Sequence, residues 1–102
     1  MEFVLERRDG RLCAAGDMTI YSAAAMKERL LGVLGGPAAL QLDLSKVAEL
    51  DTCGLQALLW AKRTAEAAGG SLTLLAPSPA VREVLELCGF ASFCDEPASE
   101  AA

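Results

Sequence analysis

Four consecutive residues, Asp51-Thr52-Cys53-Gly54, bring a carboxylate, a hydroxyl and a thiol to the point where a helix is predicted to begin. Oxygen-bearing side chains are favoured there because they accept hydrogen bonds from the unpaired backbone N–H groups of the first turn. From the residues alone, Thr52 is predicted to be a plain helix cap, which contributes about 1 kcal/mol. The tetrad thus places one hydroxyl at the positive end of a predicted helix, near solvent.

Cys53 introduces a thiol into the same first turn, where a cysteine can become reactive. It is either a redox sensor or a small residue that packs against the sheet. We favour the second interpretation because no resolving cysteine can be placed beside it from the sequence. The other cysteines, Cys13, Cys88 and Cys94, form no CxxC pair, and the chain has no histidine. The usual zinc spacings are therefore absent, and we predict neither a metal site nor a cofactor.

The composition narrows the class of function. The absence of histidine removes Ser-His-Asp and Cys-His systems and the commonest general base, so an enzyme that uses Asp51 or Cys53 as a nucleophile has no recognisable base. The net charge of −5 argues against nucleic acid or an anionic membrane as the main partner. The apolar runs are too short to span a membrane, and residues 1–10 lack the apolar segment of a secretory signal. We expect a cytoplasmic, monomeric protein that is not an enzyme.

Periodicity and turn residues predict the elements that must position the tetrad. They indicate a single α/β domain over residues 1–96, with a small mixed sheet of four to five strands and three to four helices. The predicted elements are a hairpin (Phe3–Arg8, Arg11–Gly16) around Asp9-Gly10, an extended passage (Asp17–Tyr21), a helix (Ala23–Leu34) with Ser22 as N-cap, a strand (Ala39–Leu44), a loop (Ser45–Leu50), a helix from the tetrad to Ala68, a strand (Ser71–Leu75), a helix (Ala80–Cys88) after Ser78-Pro79, a short strand or turn (Phe90–Phe93) and a disordered tail (Pro97–Ala102).

Motifs in this order resemble a known family. Leu42-Asp43-Leu44-Ser45 precedes Leu50–Leu55, which contains the tetrad, and Pro77–Leu85 leads to Leu87-Cys88-Gly89-Phe90. This arrangement is similar to the STAS domain, which sulfate transporters and anti-sigma factor antagonists share. The resemblance covers nearly the whole chain. It implies the STAS fold, with an N-terminal hairpin followed by parallel βαβ units.

The resemblance also implies a switch. In stand-alone members an anti-sigma kinase phosphorylates the hydroxyl that follows the motif's Asp, and that position is Thr52 here. The unphosphorylated form binds the kinase, a histidine-kinase-like ATPase domain; phosphorylation releases it, and a phosphatase that acts on serine or threonine resets the protein. Asp51 and Gly54 belong to the same motif. We expect both of them, with Cys53 between them, at the partner-binding site.

The chain departs from the antagonist pattern upstream of the tetrad. The usual Gly-Glu-Leu-Asp opening is Gly16-Asp17-Met18-Thr19 here, so an acidic residue near the partner surface is replaced by Thr19. The passage Thr19–Ala24 looks instead like small STAS proteins encoded beside chemotaxis or other two-component genes. An adaptor in such a system is therefore an alternative. We expect Thr19 and Tyr21 to lie at the partner-binding surface.

A third branch of the family has a similar tetrad. The cytoplasmic STAS subunit of lipid-trafficking ABC transporters contains Asp-Thr-Gly-Gly, close to Asp51-Thr52-Cys53-Gly54. That subunit binds the transporter's ATPase and supports its activity. The resemblance therefore also allows the function of an accessory transporter subunit.

The helix that follows the tetrad presents a second candidate surface. Helical geometry places Gln56, Trp60 and Arg63 opposite the apolar face, so the only tryptophan points away from the core. Tryptophan and arginine are common interface anchors, and these three residues are predicted to contact a partner. The alternative is that Trp60 lies flat over a neighbouring loop or helix.

Overall fold

A computed structural model describes residues 1–90 and 94 of the chain. These residues form one four-stranded sheet in the order β1-β2-β3-β4, in which β1 and β2 are antiparallel and the other neighbours are parallel. The mixed α/β architecture is confirmed. The elements are β1 (Val4–Arg8), β2 (Arg11–Met18), a 3₁₀ turn (Ile20–Ser22), α1 (Ala23–Leu31), β3 (Ala39–Leu50), α2 (Thr52–Ala67), β4 (Ser71–Leu75) and α3 (Pro79–Leu87).

The N-terminal hairpin forms as predicted. Asp9 and Gly10 both have positive φ angles, 53° and 79°, as the central residues of a type I′ turn require. The turn sets the register in which Arg8 pairs with Arg11. One predicted boundary is wrong, since β2 continues beyond Gly16 to Met18.

One face of the sheet is buried beneath the helices. Alternate residues of β2, β3 and β4 point into this core, as the period of two predicts. Each helix adds an apolar stripe to the same cluster, including Met26 of α1, Leu58 of α2 and Val81 of α3. The buried side chains on the three strands are those of Leu12, Ala14, Met18, Leu42, Leu44, Val47, Leu50, Leu72 and Leu74.

The predicted loop Ser45–Leu50 is wrong, because β3 runs unbroken to Leu50. Its second half pairs in parallel with β2, so that Gly16 lies beside Val47 and Met18 beside Leu50. The register between the two strands shifts twice in this region. Such irregularities interrupt the alternation of buried and exposed residues, which is the signal by which a strand is identified in a sequence.

Helix ends differ from the prediction by one to three residues. The helix α1 ends at Leu31 rather than Leu34, although Leu34 remains buried and its N–H still donates to Leu30 O at 3.1 Å. Ser22 precedes α1 as predicted, but its hydroxyl makes no capping bond to that helix. Apart from Phe90, the predicted strand Phe90–Phe93 and the predicted tail Pro97–Ala102 lie outside the described residues.

Within the described part of the chain, α2 is the longest helix, with 16 residues. None of the helices described there combines the length and the apolar character that crossing a bilayer requires.

Candidate functional site

The tetrad lies where β3 passes directly into α2. Asp51, not Thr52, is the N-cap: its backbone is extended, and its Oδ1 accepts a hydrogen bond from Gly54 N at 3.0 Å. The interpretation of Thr52 as the cap is therefore wrong by one position. Thr52 is the first residue inside α2. Both side chains are favourable caps, and the end of β3 decides which of the two is used.

Thr52 is exposed, and its hydroxyl makes no hydrogen bond to any of the described residues. The capping function that would otherwise occupy it belongs to the neighbouring carboxylate. The site therefore contains a hydroxyl that is accessible at the positive end of a 16-residue helix.

The second carboxylate oxygen of Asp51 accepts a hydrogen bond from a segment outside the helix. Oδ2 accepts a hydrogen bond from Ile20 N at 2.9 Å, and Asp51 N donates to Met18 O at 3.3 Å. Partial burial alone would raise the pKa of the Asp51 carboxyl, but hydrogen bonds from the backbone N–H groups of Ile20, Gly54 and Cys53 outweigh it and lower the pKa. The carboxylate is thus ionised at neutral pH, and it joins two separate segments.

Gly54 lets α2 approach the end of β2. A Cβ atom at this position would overlap Met18 O and would lie 2.6 Å from Leu50 Cδ1. Gly54, which is predicted to contact a partner, is therefore buried beneath the exposed first turn of α2. Its contribution is to bring the backbone of Met18 and the next residues of the chain close to Asp51.

Those next residues form a short exposed turn. Of the two predicted contacts here, Tyr21 is 97% exposed, whereas Thr19 is half-buried and donates its N–H to Ser22 Oγ at 3.0 Å. Ser22 Oγ in turn donates to Asp17 O at 2.7 Å. Ile20, which is 59% exposed and bonded to Asp51, was not anticipated. Its contact spans 31 residues and leaves no local signal in the sequence.

A narrow groove runs between α1 and α2. Cys53, Gln56 and Trp60 line it from α2, and Ala23, Met26 and Lys27 line it from α1. Trp60 is half-buried, with Lys27 Nζ 5.9 Å from its ring centroid, so it lies over the neighbouring helix as the alternative interpretation holds. Cys53 is half-buried and lines this groove. Arg63 is exposed and does not line the groove.

A wider cleft of about 740 Å³ adjoins the other side of the tetrad. Asp51 and Tyr21 line it together with Glu49 at the end of β3 and Glu83 of α3. Thr52 thus lies in the chain between Asp51, which lines this acidic cleft, and Cys53, which lines the groove between the helices. Within the described residues, no group of three or more acidic, cysteine or histidine side chains has an arrangement that could hold a metal ion.

Comparison with known families assigns the chain. The profile of the family described as "Mlab, STAS domain" matches residues 1–94. The chain belongs to the STAS domain family, as the motifs around the tetrad predict. Among curated proteins none matches the chain.

Solved structures agree with this assignment. An anti-sigma factor antagonist from Mycobacterium paratuberculosis is 26% identical, with a TM-score of 0.70 over 90% of this chain and 80% of that one. The antagonist SpoIIAA in its unphosphorylated form is 21% identical, with a TM-score of 0.65 over 90% and 84% of the two chains. Its phosphorylated form from Bacillus is 19% identical, with a TM-score of 0.63 over 90% and 87%. At these lower identities the two SpoIIAA structures support the fold alone.

The predicted STAS fold is therefore confirmed. The chain is a STAS-domain signalling module, and related proteins of this kind are in general binding modules that interact with protein partners rather than enzymes.

Proposed function

We propose that the protein is a cytoplasmic switch of the anti-sigma factor antagonist type, which binds a kinase-type protein partner until Thr52 is phosphorylated. The observation that supports this proposal is that Asp51 and Thr52 have different roles in the tetrad. Asp51 caps α2, and the adjacent Thr52 hydroxyl remains exposed. Modification of Thr52 therefore does not remove the helix cap.

The proposed reaction takes its phosphoryl group from ATP. The bond from Thr52 Oγ1 to phosphorus forms while the bond from the γ-phosphorus to its bridging oxygen breaks; ADP leaves, and the hydroxyl proton is lost to solvent. A serine/threonine phosphatase would hydrolyse the ester and return the free hydroxyl. In this scheme the partner holds the ATP, and the chain supplies only the acceptor.

The added charge explains how the switch works. A phosphate adds about −1.5 to −2 charges at the start of α2, where the helix dipole favours an anion, so the fold survives. The same charge next to Asp51, Glu49 and Glu83 makes this end of the molecule more acidic. A partner that fits the uncharged hydroxyl is repelled, and a local charge change becomes a binding change.

The similarity to the mycobacterial anti-sigma factor antagonist supports this function. SpoIIAA, which shares the fold, has been solved in both unphosphorylated and phosphorylated forms. The replacement of an acidic residue by Thr19 leaves the pathway open, and an adaptor in a chemotaxis or two-component system would use the same switch.

The test compares two Thr52 variants in affinity capture from a lysate of the source cells. Thr52→Glu should lose a histidine-kinase-like ATPase that wild type retains, whereas Thr52→Ala should retain it but resist release by ATP. Ser45→Glu is the matched control, because it places the same charge on another exposed hydroxyl position. If Thr52→Glu retains its partners as well as Ser45→Glu does, the proposed switch is wrong.

A second candidate function follows from the family description, which names Mlab. As an accessory subunit of a lipid-trafficking ABC transporter, the chain would bind the transporter's ATPase through the groove between α1 and α2. It would then co-purify with an ATPase and a membrane permease, and Trp60→Ala would release both. A kinase captured without a permease would exclude this alternative.

A further inference from the structure

The Asp51 carboxylate connects the start of α2 to a turn that is distant in the sequence. Oδ1 accepts from Gly54 N at 3.0 Å within the helix, and Oδ2 accepts from Ile20 N at 2.9 Å in the segment after β2. Hydrogen bonds in which one group is ionised are the stronger ones. Asp51 is therefore in direct contact both with the helix that contains Thr52 and with the turn that precedes α1.

That turn exposes two apolar side chains. Tyr21 is 97% exposed and Ile20 is 59% exposed. Ser22 braces the turn internally, through bonds to Asp17 O and Thr19 N. The side chain that fixes the turn to α2 is that of Asp51. An exposed apolar pair on a braced turn suits insertion into an apolar pocket of a protein partner.

We propose that Asp51 is a positioning residue that couples the state of Thr52 to the Ile20–Tyr21 turn. With a free Thr52 hydroxyl, Asp51 holds the turn against α2 and fixes the orientation of Tyr21 for the partner. A phosphoryl group on Thr52 breaks the bond from Asp51 to Ile20 and releases the turn. The partner then loses an apolar anchor and meets a repulsive charge. This inference rests on the proposed phosphorylation of Thr52.

Electrostatic repulsion acts on the carboxylate that makes both hydrogen bonds. Thr52 follows Asp51 directly, so a phosphate dianion there lies close to a carboxylate that is already ionised. Gly54 N lies three residues further along the same helix, whereas Ile20 N belongs to a separate segment. A carboxylate that moves away from the phosphate stays within reach of Gly54 N, so the bond to the separate segment is the one that is lost.

The test is amide hydrogen exchange, measured by NMR on the full chain without any partner. Asp51→Asn is the reference for a broken connection. The asparagine caps a helix about as well as aspartate does, but its single carbonyl oxygen replaces the two carboxylate oxygens that now accept from Gly54 and Ile20. We expect the Ile20 amide to exchange at least about tenfold faster in Asp51→Asn and in Thr52→Glu, since a charged hydrogen bond is lost. Leu55 N, which donates to Asp51 O, reports whether α2 is intact.

Ser45→Glu again supplies the matched charge and should leave the exchange of the Ile20 amide unchanged. If that amide exchanges equally slowly in Thr52→Glu and Ser45→Glu, the coupling is overturned. Its failure is distinguishable from failure of the proposed function. If Thr52→Glu loses the partner while the Ile20 amide stays protected, the proposed switch holds and the coupling is overturned. If the turn is released in Thr52→Glu but the partner is retained, the proposed switch is overturned.

Discussion

The helices α2 and α3 begin in similar ways and use their hydroxyls differently. Each follows a strand and is capped by a side-chain oxygen that accepts from the backbone N–H three residues on. At α3 the cap is the hydroxyl of Ser78, which accepts from Val81 N at 3.3 Å and is only 5% exposed. At α2 the cap is the carboxylate of Asp51, and the hydroxyl of Thr52 stands one position further on, in solvent.

This difference separates a structural hydroxyl from one that is available for chemistry. A phosphate on Ser78 would remove the cap of α3 and would force a buried residue into solvent. Pro79, which follows Ser78, also has no N–H with which to bind an anion. A phosphate on Thr52 displaces nothing that holds the helix. We therefore expect substitutions of the residues that hold the start of α2 in place to lower the free energy of unfolding strongly. Removal of the Thr52 hydroxyl should change it very little.

The largest effect is expected for Gly54→Ala, because the added methyl group overlaps the backbone of Met18. We expect the free energy of unfolding to fall by about 3 kcal/mol, at the upper end of overpacking effects. Urea denaturation measures it. Gly35→Ala is the control, since a Cβ atom there meets nothing within 4 Å, and a similar loss in both variants would contradict the close approach of α2.

Asp51→Ala should come next, with a loss of about 2 kcal/mol, because it removes a cap and a bond to a second segment. Asp51→Asn should lose less, since asparagine still caps. Equal losses in the two variants, measured by urea denaturation, would contradict the capping role of Oδ1, and an unchanged stability of Asp51→Asn would contradict a role for Oδ2.

The lowered pKa of Asp51 adds a dependence on pH. Because the folded-state pKa lies below the ordinary value of 3.8, the carboxylate stabilises the fold above pH 3.8, and this contribution disappears as pH falls through the folded-state pKa. Thermal unfolding between pH 6 and pH 2 should therefore show a smaller acid-induced loss in Asp51→Asn than in wild type. Parallel dependences of thermal stability on pH in the two proteins would contradict the lowered pKa of Asp51.

Ser78→Ala should lower the free energy of unfolding by about 1 kcal/mol, because a buried cap is removed. Ser78→Asp restores a capping oxygen and should recover part of this loss. An unchanged stability of Ser78→Ala in urea denaturation would show that the cap of α3 is dispensable.

Thr52→Ala should have the smallest effect, within about 0.5 kcal/mol of wild type, since the hydroxyl is exposed and bonds to none of the described residues. A loss as large as that of Ser78→Ala in the same denaturation experiment would remove the distinction between the two hydroxyls.

Local signals in the sequence predicted most of the elements around the site. The Asp9-Gly10 turn, the order of strands and helices and the cap of α3 were all correct, because each depends on a few neighbouring residues. The choice between Asp51 and Thr52 as the cap of α2 was wrong. Both side chains can cap, and only the position at which β3 ends distinguishes them.

Features that depend on distant contacts were not predictable. The sequence predicts a loop in the second half of β3, because register shifts against β2 break the alternation of apolar residues there. It gives no sign of the bond from Ile20 to Asp51, which joins segments 31 residues apart. The position of Trp60 over α1 depends on how two helices cross, which the period of one helix does not determine.

The central claim is that the hydroxyl of Thr52, and not that of Ser78, controls partner binding. Phosphate mapping by mass spectrometry tests it most directly, on chain captured with the kinase-type partner and on chain released from it by ATP. We predict one phosphoryl group, on Thr52, in the released fraction, and an unmodified Thr52 in the retained fraction. Phosphorylated Thr52 in the retained fraction, or release without modification of Thr52, would contradict the account.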